Sequence, residues 1–130
     1  MSTESPQLRT VREFLKGFDR VDFDLISAHT TEDVIYEVLP SSLGSKPYTK
    51  EEFRTHWDTY VVPKTERSKN TIIDSIEVPG KVFINGYFVE QPSGKKHEYN
   101  CRFDFEGDKI KLFKMFLDVE TAKEYRYVDQ

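Results

Sequence analysis

The sequence contains a single cysteine and no apolar run long enough to cross a bilayer. Cys101 has no partner for an internal disulfide, and a buried position in a reducing compartment fits it best. The residues before Pro6 lack the basic and apolar regions of a secretory signal peptide. These absences predict a cytoplasmic protein that does not associate with a membrane.

Positive charge is also scarce. The chain has 19 Lys and Arg residues against 23 Asp and Glu residues, which gives a net charge of −4. The basic residues are spread along the chain rather than gathered in a stripe, so no nucleic-acid partner is expected. The three histidines have no close spacing with one another or with Cys101, so no metal site is predicted. Phosphate-binding, dinucleotide-binding and nucleophile-elbow motifs are missing, and no cofactor is expected.

Aromatic residues, in contrast, are abundant. They make up 14% of the chain, with ten Phe and seven Tyr, which predicts either aromatic packing or an aromatic-walled cavity. A length of 130 residues is that of one domain able to bury its own core, and we assign residues 1–130 to a single domain.

The clearest structural pattern runs from His97 to Asp118. From His97 to Phe105 every second residue is apolar or aromatic, which is typical of a half-buried strand. The polar break Glu106 to Asp108 then leads to a second apolar run, Ile110 to Leu117. Two such runs around a short break predict an antiparallel hairpin.

The remaining elements follow from caps, periodicity and breakers. Helical spacing and N-terminal caps predict helices at Pro6 to Arg20, from Asp22 to about Thr30, and from Thr49 to just before Pro63. Strands are predicted at Val34 to Leu39, Thr71 to Val78 and Lys81 to Glu90. A flap-like loop covers Pro40 to Pro47, and a short helical turn lies within Glu120 to Tyr127. With the hairpin, the last four strands form a meander in an α+β fold.

Nearly the whole chain resembles the SnoaL-like members of the NTF2-like superfamily, and two segments carry the resemblance most specifically. One is His29 to Gly44, which contains the run Val-Leu-Pro-Ser-Ser-Leu-Gly, similar to a loop of small fungal SnoaL-like proteins. The other is Gly107 to Ile110 leading into Phe116-Leu-Asp118. The resemblance implies a cone in which a curved antiparallel sheet wraps around three helices and encloses a pocket.

The resemblance also implies a range of functions. SnoaL-like proteins include cofactor-free polyketide cyclases, dehydratases, isomerases and epoxide hydrolases, and the fold alone does not select among them. Many carry a carboxylate three residues before the final aspartate, where this chain has Met115. The steroid isomerases carry a hydrogen-bonding acid where our register places Cys101. Both departures remove a polar group from the expected pocket.

Two residues are candidates for proton transfer. Asp118 ends the last strand, where the resemblance places the far end of the pocket, and a buried carboxylate with a raised pKa can act as acid or base. Alternatively, Asp118 caps the turn that follows. His56 is the best general-base candidate because histidine titrates near neutral pH. Alternatively, it is a partly exposed helix residue bonded to a loop. His97, next to two lysines, is predicted to be solvated.

The predicted function is binding of a small hydrophobic or aromatic molecule, with lyase, isomerase or cyclase chemistry if the protein is an enzyme. The residues expected to contact the ligand are Tyr36, Trp57, Tyr60, Asn85, Tyr87, Tyr99, Cys101, Phe113 and Met115. The same aromatic residues would form an ordinary core if the cone is collapsed. The alternative is a non-catalytic interaction module that uses the outer face of the sheet.

The strands Lys81 to Glu90 and Lys109 to Asp118 carry apolar residues on both faces. The outer face of the sheet is therefore expected to be covered, and a homodimer that packs sheet against sheet would cover it.

Overall fold

A computed structural model of the chain describes residues 4–39 and 41–128. The helices are α1 (Pro6–Asp19), α2 (Phe23–Ser27), α3 (Lys50–His56) and α4 (Val119–Glu124). The strands are β1 (Thr30–Leu39), β2 (Arg67–Val78), β3 (Lys81–Gln91), β4 (Lys96–Glu106) and β5 (Lys109–Leu117). Of the predicted flap, Pro40 lies outside the described residues, and Ser41–Leu43 forms a short 3-10 turn.

The helices begin at the predicted caps. The Ser5 side chain accepts a hydrogen bond from the backbone of Leu8 at 3.0 Å, and α1 starts with proline at its first position. In α3, Thr49 and Glu52 form the predicted capping box: Thr49 Oγ1 accepts from the Glu52 backbone at 3.2 Å, and Glu52 Oε1 accepts from the Thr49 backbone at 2.9 Å.

After His56 the third helix widens into a π-helical turn, Trp57–Val61, whose closing bond joins the Val62 N–H to the Trp57 carbonyl at 3.0 Å. Each residue of a π-turn advances through a smaller angle than in an α-helix. Trp57 and Val61 stay buried, whereas Tyr60 is turned outward and is 41% exposed. The prediction that Tyr60 faces the interior is therefore wrong.

The five strands form one sheet in the order β1-β5-β4-β3-β2. The predicted antiparallel meander is confirmed, and β1 adds to it in parallel beside β5. Register shifts occur between Ile72 and Asp74 in β2 and between Asp104 and Phe105 in β4. Such irregularities increase twist and bend a strand, which accounts for the curvature of the sheet.

The core fills the space between the concave face of the sheet and the helices. The Phe14 ring of α1 lies 5.7 Å from Phe103 and 5.1 Å from Phe113, between centroids. On the other side of the core, Tyr36 stacks on Phe53 at 4.2 Å with the rings nearly parallel. The predicted aromatic-rich interior is thus confirmed. Among the described residues, no helix is long and apolar enough to span a bilayer.

Candidate functional site: an aromatic cavity and a buried polar cluster

A cavity of about 50 Å³ lies between the sheet and the helices. Its walls are almost entirely apolar and come from every layer of the fold; the lining residues are Leu15, Phe18, Trp57, Val61, Thr65, Ser68, Asn70, Phe88, Tyr99, Cys101, Phe113, Met115, Leu117, Tyr125 and Tyr127. An apolar cavity of roughly 150 Å³ holds a benzene molecule. A ring-sized ligand therefore requires one lining side chain to move, and Met115 is the most flexible of them.

Several polar residues of the cavity lining make hydrogen bonds to one another or to α1. The Tyr99 hydroxyl donates to Asn70 Oδ1 at 2.8 Å, and the Asn70 side chain donates to Asp19 Oδ1 at 2.5 Å. Partial burial raises the pKa of Asp19, although its bonds from Asn70 act in the opposite direction. Ser68, next to this chain of bonds, donates to the Phe18 carbonyl at 3.3 Å. One end of the cavity can therefore pair with a polar group of a ligand.

Trp57 contributes a polar atom that, unlike those of Asn70 and Tyr99, forms no hydrogen bond with the described residues. Its indole Nε1 is buried and has no hydrogen-bond partner among the described residues. A buried donor left unpaired costs about 1–3 kcal/mol. Because Trp57 lines the cavity, a bound water or a ligand oxygen there would remove this cost.

The structure brings five of the predicted contact residues to this cavity: Trp57, Tyr99, Cys101, Phe113 and Met115. Burial raises the pKa of the Cys101 thiol well above its ordinary value, so it acts as a small apolar side chain. That these five residues contact a ligand stays a prediction.

The other four predicted contact residues lie elsewhere, which corrects their placement. Tyr36 is buried against Phe53, away from the cavity, and Tyr60 points outward. Asn85 and Tyr87 lie on the convex face of β3, where Tyr87 is covered by the Lys96 ammonium at 4.3 Å. Inward positions of β3 are instead taken by the alternating residues Val82, Ile84, Gly86, Phe88 and Glu90.

Asp118 is the N-terminal cap of α4, which was the alternative interpretation of this residue. Its Oδ1 accepts from the Thr121 backbone and its Oδ2 from the Thr121 hydroxyl, each at 2.8 Å. Desolvation acts to raise its pKa, but the bonds from Thr121 outweigh it and lower the pKa below the ordinary value. The expectation of a buried acid with a raised pKa at the pocket end is wrong.

His56 is buried and its ring is fully engaged. Nε2 donates to the Tyr125 carbonyl at 2.8 Å, Nδ1 lies 3.4 Å from the Tyr48 hydroxyl, and the ring stacks on Tyr127 at 4.5 Å. Burial lowers the pKa of His56 despite the bond to Tyr125. The residue does not line the cavity, so its predicted place at the pocket edge is corrected. It ties the third helix to the C-terminal segment.

His97, predicted to be solvated, is instead 4% exposed. Its Nε2 lies 3.5 Å from Glu90 Oε1 and 3.7 Å from Glu124 Oε2, and its ring packs on Phe88 at 4.8 Å. Hydrogen bonds from Tyr125 and Ser93 outweigh desolvation and lower the pKa of Glu90, so this buried carboxylate stays ionised. The sequence signals were present: His97 continues the inward alternation of β4, and Glu90 that of β3.

A curved sheet wrapped around helices, with an aromatic cavity between them, defines an NTF2-like cone. The predicted fold, and the resemblance that implied it, are confirmed by solved structures. An NTF2-like protein of unknown function from Burkholderia pseudomallei matches with a TM-score of 0.72 and 20% identity, over 98% of this chain and 100% of that chain. At this identity the likeness shows the fold alone.

Two fungal proteins match with higher TM-scores. PrhC from Penicillium brasilianum has a TM-score of 0.82 at 16% identity, over 95% of this chain and 87% of that chain. The BvnE pinacolase from Penicillium brevicompactum has a TM-score of 0.80 at 17% identity, over 97% of this chain and 94% of that chain. No protein-family model matches the chain. No curated protein matches it either.

Proposed function

We propose that the protein binds a small hydrophobic molecule that carries an acceptor oxygen, with its ring against the aromatic walls and its oxygen on the Trp57 indole N–H. The observation that carries the proposal is this buried donor without a partner among the described residues, in a residue that lines the cavity. The Asn70–Tyr99 pair offers a second polar contact. An apolar pocket with a few convergent polar groups is the usual form of a small-molecule site.

The lining favours binding and orientation over acid–base turnover. The described lining residues include no Asp, Glu, His, Lys or Arg. Burial raises the pKa of both Tyr99 and Tyr125, which makes their hydroxyls poor proton donors near neutral pH. The lyase, isomerase or cyclase chemistry implied by the resemblance, and by the likeness to a pinacolase, would therefore depend on hydrogen bonds from neutral groups rather than on an ionised base.

Trp57 is the only tryptophan in the chain, so its fluorescence reports directly on the cavity. We expect cyclohexanone to change this fluorescence and to bind about fivefold more tightly than methylenecyclohexane, which replaces the carbonyl oxygen with a CH₂ group of similar shape. One net hydrogen bond of about 1 kcal/mol accounts for this preference. Isothermal titration calorimetry with both probes measures it.

The matched variants are Trp57→Phe, which removes the N–H and keeps an aromatic ring, and Tyr60→Phe, which removes a polar group from the exposed side of the same turn. Trp57→Phe should abolish the preference for the ketone, and Tyr60→Phe should keep it. Equal affinity of wild type for the two probes would contradict the role of the indole. If neither probe binds up to its solubility limit, the cavity is a packing void and the proposal fails.

A second candidate, self-association through the convex face of the sheet, is favoured by a separate observation. Ile76, Phe83 and Phe116 are 68%, 40% and 52% exposed and border one groove on this face. Apolar residues gathered in this way are typical of an interface. A homodimer that packs sheet against sheet would bury them.

Sedimentation velocity tests this candidate. We expect wild type to sediment as a dimer and Phe83→Lys to shift toward monomer, because a lysine at the centre of an apolar interface loses its hydration. Val62→Lys is the control, since Val62 is as exposed but follows the π-turn, away from the sheet. A monomeric wild type, or dimers of equal strength in both variants, would rule out this face as the interface.

A further inference from the structure

Three potential metal ligands from three elements of the fold meet beside α4. They are Glu90 at the end of β3, His97 at the start of β4 and Glu124 at the end of α4, and one donor atom from each lies within 4.8 Å of the others. Glu90 and His97 are buried, and Glu124 is partly exposed. His97 and Glu124 also line an open groove, which connects the cluster to solvent.

The hydrogen bonds around His97 fix which ring nitrogen carries the proton. The Thr121 hydroxyl donates its single hydrogen to Asp118 Oδ2 at 2.8 Å. It can therefore only accept from His97 Nδ1, which lies 2.8 Å from it. In the neutral ring, Nε2 then carries a lone pair. This arrangement of a hydrogen-bonded Nδ1–H and a free Nε2 is the usual one for a metal-binding histidine.

The lone pair of Nε2 faces two carboxylate oxygens rather than a donor. Its distances to Glu90 Oε1 and Glu124 Oε2 are 3.5 and 3.7 Å, and it has no hydrogen-bond partner among the described residues. A protonated Nε2 would be expected to form charged hydrogen bonds of about 2.7–2.9 Å. Ligand atoms bound tetrahedrally to zinc at about 2.0–2.1 Å lie roughly 3.4 Å apart. The observed distances therefore match the spacing of ligand atoms around a metal ion better than the length of a charged hydrogen bond.

We propose that Glu90, His97 and Glu124 bind a first-row divalent transition-metal ion such as Zn²⁺, through Oε1, Nε2 and Oε2. One nitrogen and two carboxylate oxygens are ligands that zinc accepts in proteins, and three protein ligands leave a position for water or another ligand. An all-oxygen set would have favoured Mg²⁺ or Ca²⁺, whereas the imidazole selects for the softer ions.

The second oxygen of each carboxylate is held by a neighbour. Glu90 Oε2 accepts a hydrogen bond from the Tyr125 hydroxyl, and the proposed ligand atom, Oε1, also accepts one from Ser93 at 2.8 Å. Glu124 Oε1 faces the ammonium groups of Lys95 at 2.6 Å and Lys64 at 3.5 Å, which leaves Oε2 turned toward His97. Such outer contacts orient ligands in metal sites. In the metal-free protein, the two lysines also offset the negative charge of the carboxylates.

The test is calorimetric titration of Zn²⁺ into protein that has been stripped with a chelator and dialysed. We expect one Zn²⁺ per chain, a rise in melting temperature on binding, and no comparable effect of Mg²⁺. Glu124→Gln should weaken Zn²⁺ binding at least about tenfold, because it removes one of three ligands. Co²⁺ in place of Zn²⁺ should give the intense visible absorption of a four-coordinate site, and Glu124→Gln should lose it.

The matched control is Glu120→Gln, the same change on an exposed residue of the same helix, which should bind Zn²⁺ as wild type does. Glu124 is partly exposed, so its variant should fold, which circular dichroism verifies. Equal Zn²⁺ affinity in wild type and Glu124→Gln would mean surface binding and would overturn the proposal. Absence of Zn²⁺ binding to wild type would also overturn the proposal. The cluster would then be explained by a proton on His97 that interacts with the two carboxylates.

Discussion

Replacing Phe113 with Ala is expected to lower the free energy of unfolding by about 4 kcal/mol. Phe113 is 1% exposed at the centre of β5, and its ring lies 5.1 Å from Phe14 and 5.2 Å from Phe103. Truncation removes the burial of the ring and leaves a hole that two packed aromatic neighbours cannot easily fill. Urea denaturation followed by far-UV circular dichroism measures the change.

Phe116→Ala on the same strand is the matched control, because Phe116 is 52% exposed on the convex face. It should cost less than about 1 kcal/mol, since most of its ring is already in contact with water. Comparable losses in the two variants would mean that the concave face is not the core. Phe113 also lines the cavity, so its effect on ligand binding is interpretable only after this stability measurement.

The alternation in β4 shows what the sequence could predict about the interior. From His97 to Phe105 each odd-numbered residue is buried, as the pattern indicates. The pattern of β3 was less decisive because both faces of that strand carry apolar residues. Asn85 and Tyr87 are predicted to contact a ligand in the cavity, but both lie on the convex face. A polar group in a strand does not by itself reveal which face is concave.

Other parts of the site depend on contacts that are distant in sequence. The pairing of β1 with β5 joins Tyr36 to Phe113, and no local pattern specifies such a pair. The same holds for Glu124, which α4 brings to Glu90 and His97, although those two residues lie on adjacent strands of a local hairpin. A search for closely spaced histidines could not find this cluster because two of its members are glutamates. Tyr60 was misplaced for a local reason, the π-turn, which helical periodicity does not predict.

Tyr125 connects the two features that carry the proposals. Its ring lines the cavity, and its hydroxyl donates to Glu90 of the buried cluster. Phe88 has a similar position, since it lines the cavity and packs on the His97 ring. The cavity and the cluster are nevertheless separable, because Trp57 and Glu124 belong to one feature each. Variants of these two residues can therefore test binding of the ketone and of Zn²⁺ independently.

Gly86→Ala is expected to lower the free energy of unfolding by about 3 kcal/mol, although it adds a single methyl group. A Cβ at Gly86 would lie 2.2 Å from the Thr71 carbonyl oxygen and 3.3 Å from the Ile72 Cα. Both are backbone atoms of β2, where the register shifts between Ile72 and Asp74. The strand itself must therefore move, at the cost of ladder hydrogen bonds. Urea denaturation measures the loss.

Gly80→Ala separates this contact from the general cost of replacing a glycine. Gly80 has a φ of +81°, and a Cβ there would have no atom within 4 Å, so only left-handed backbone strain of about 1 kcal/mol is expected. If Gly86→Ala lowered the free energy of unfolding no more than Gly80→Ala, this would contradict the close contact between Gly86 and the backbone of β2.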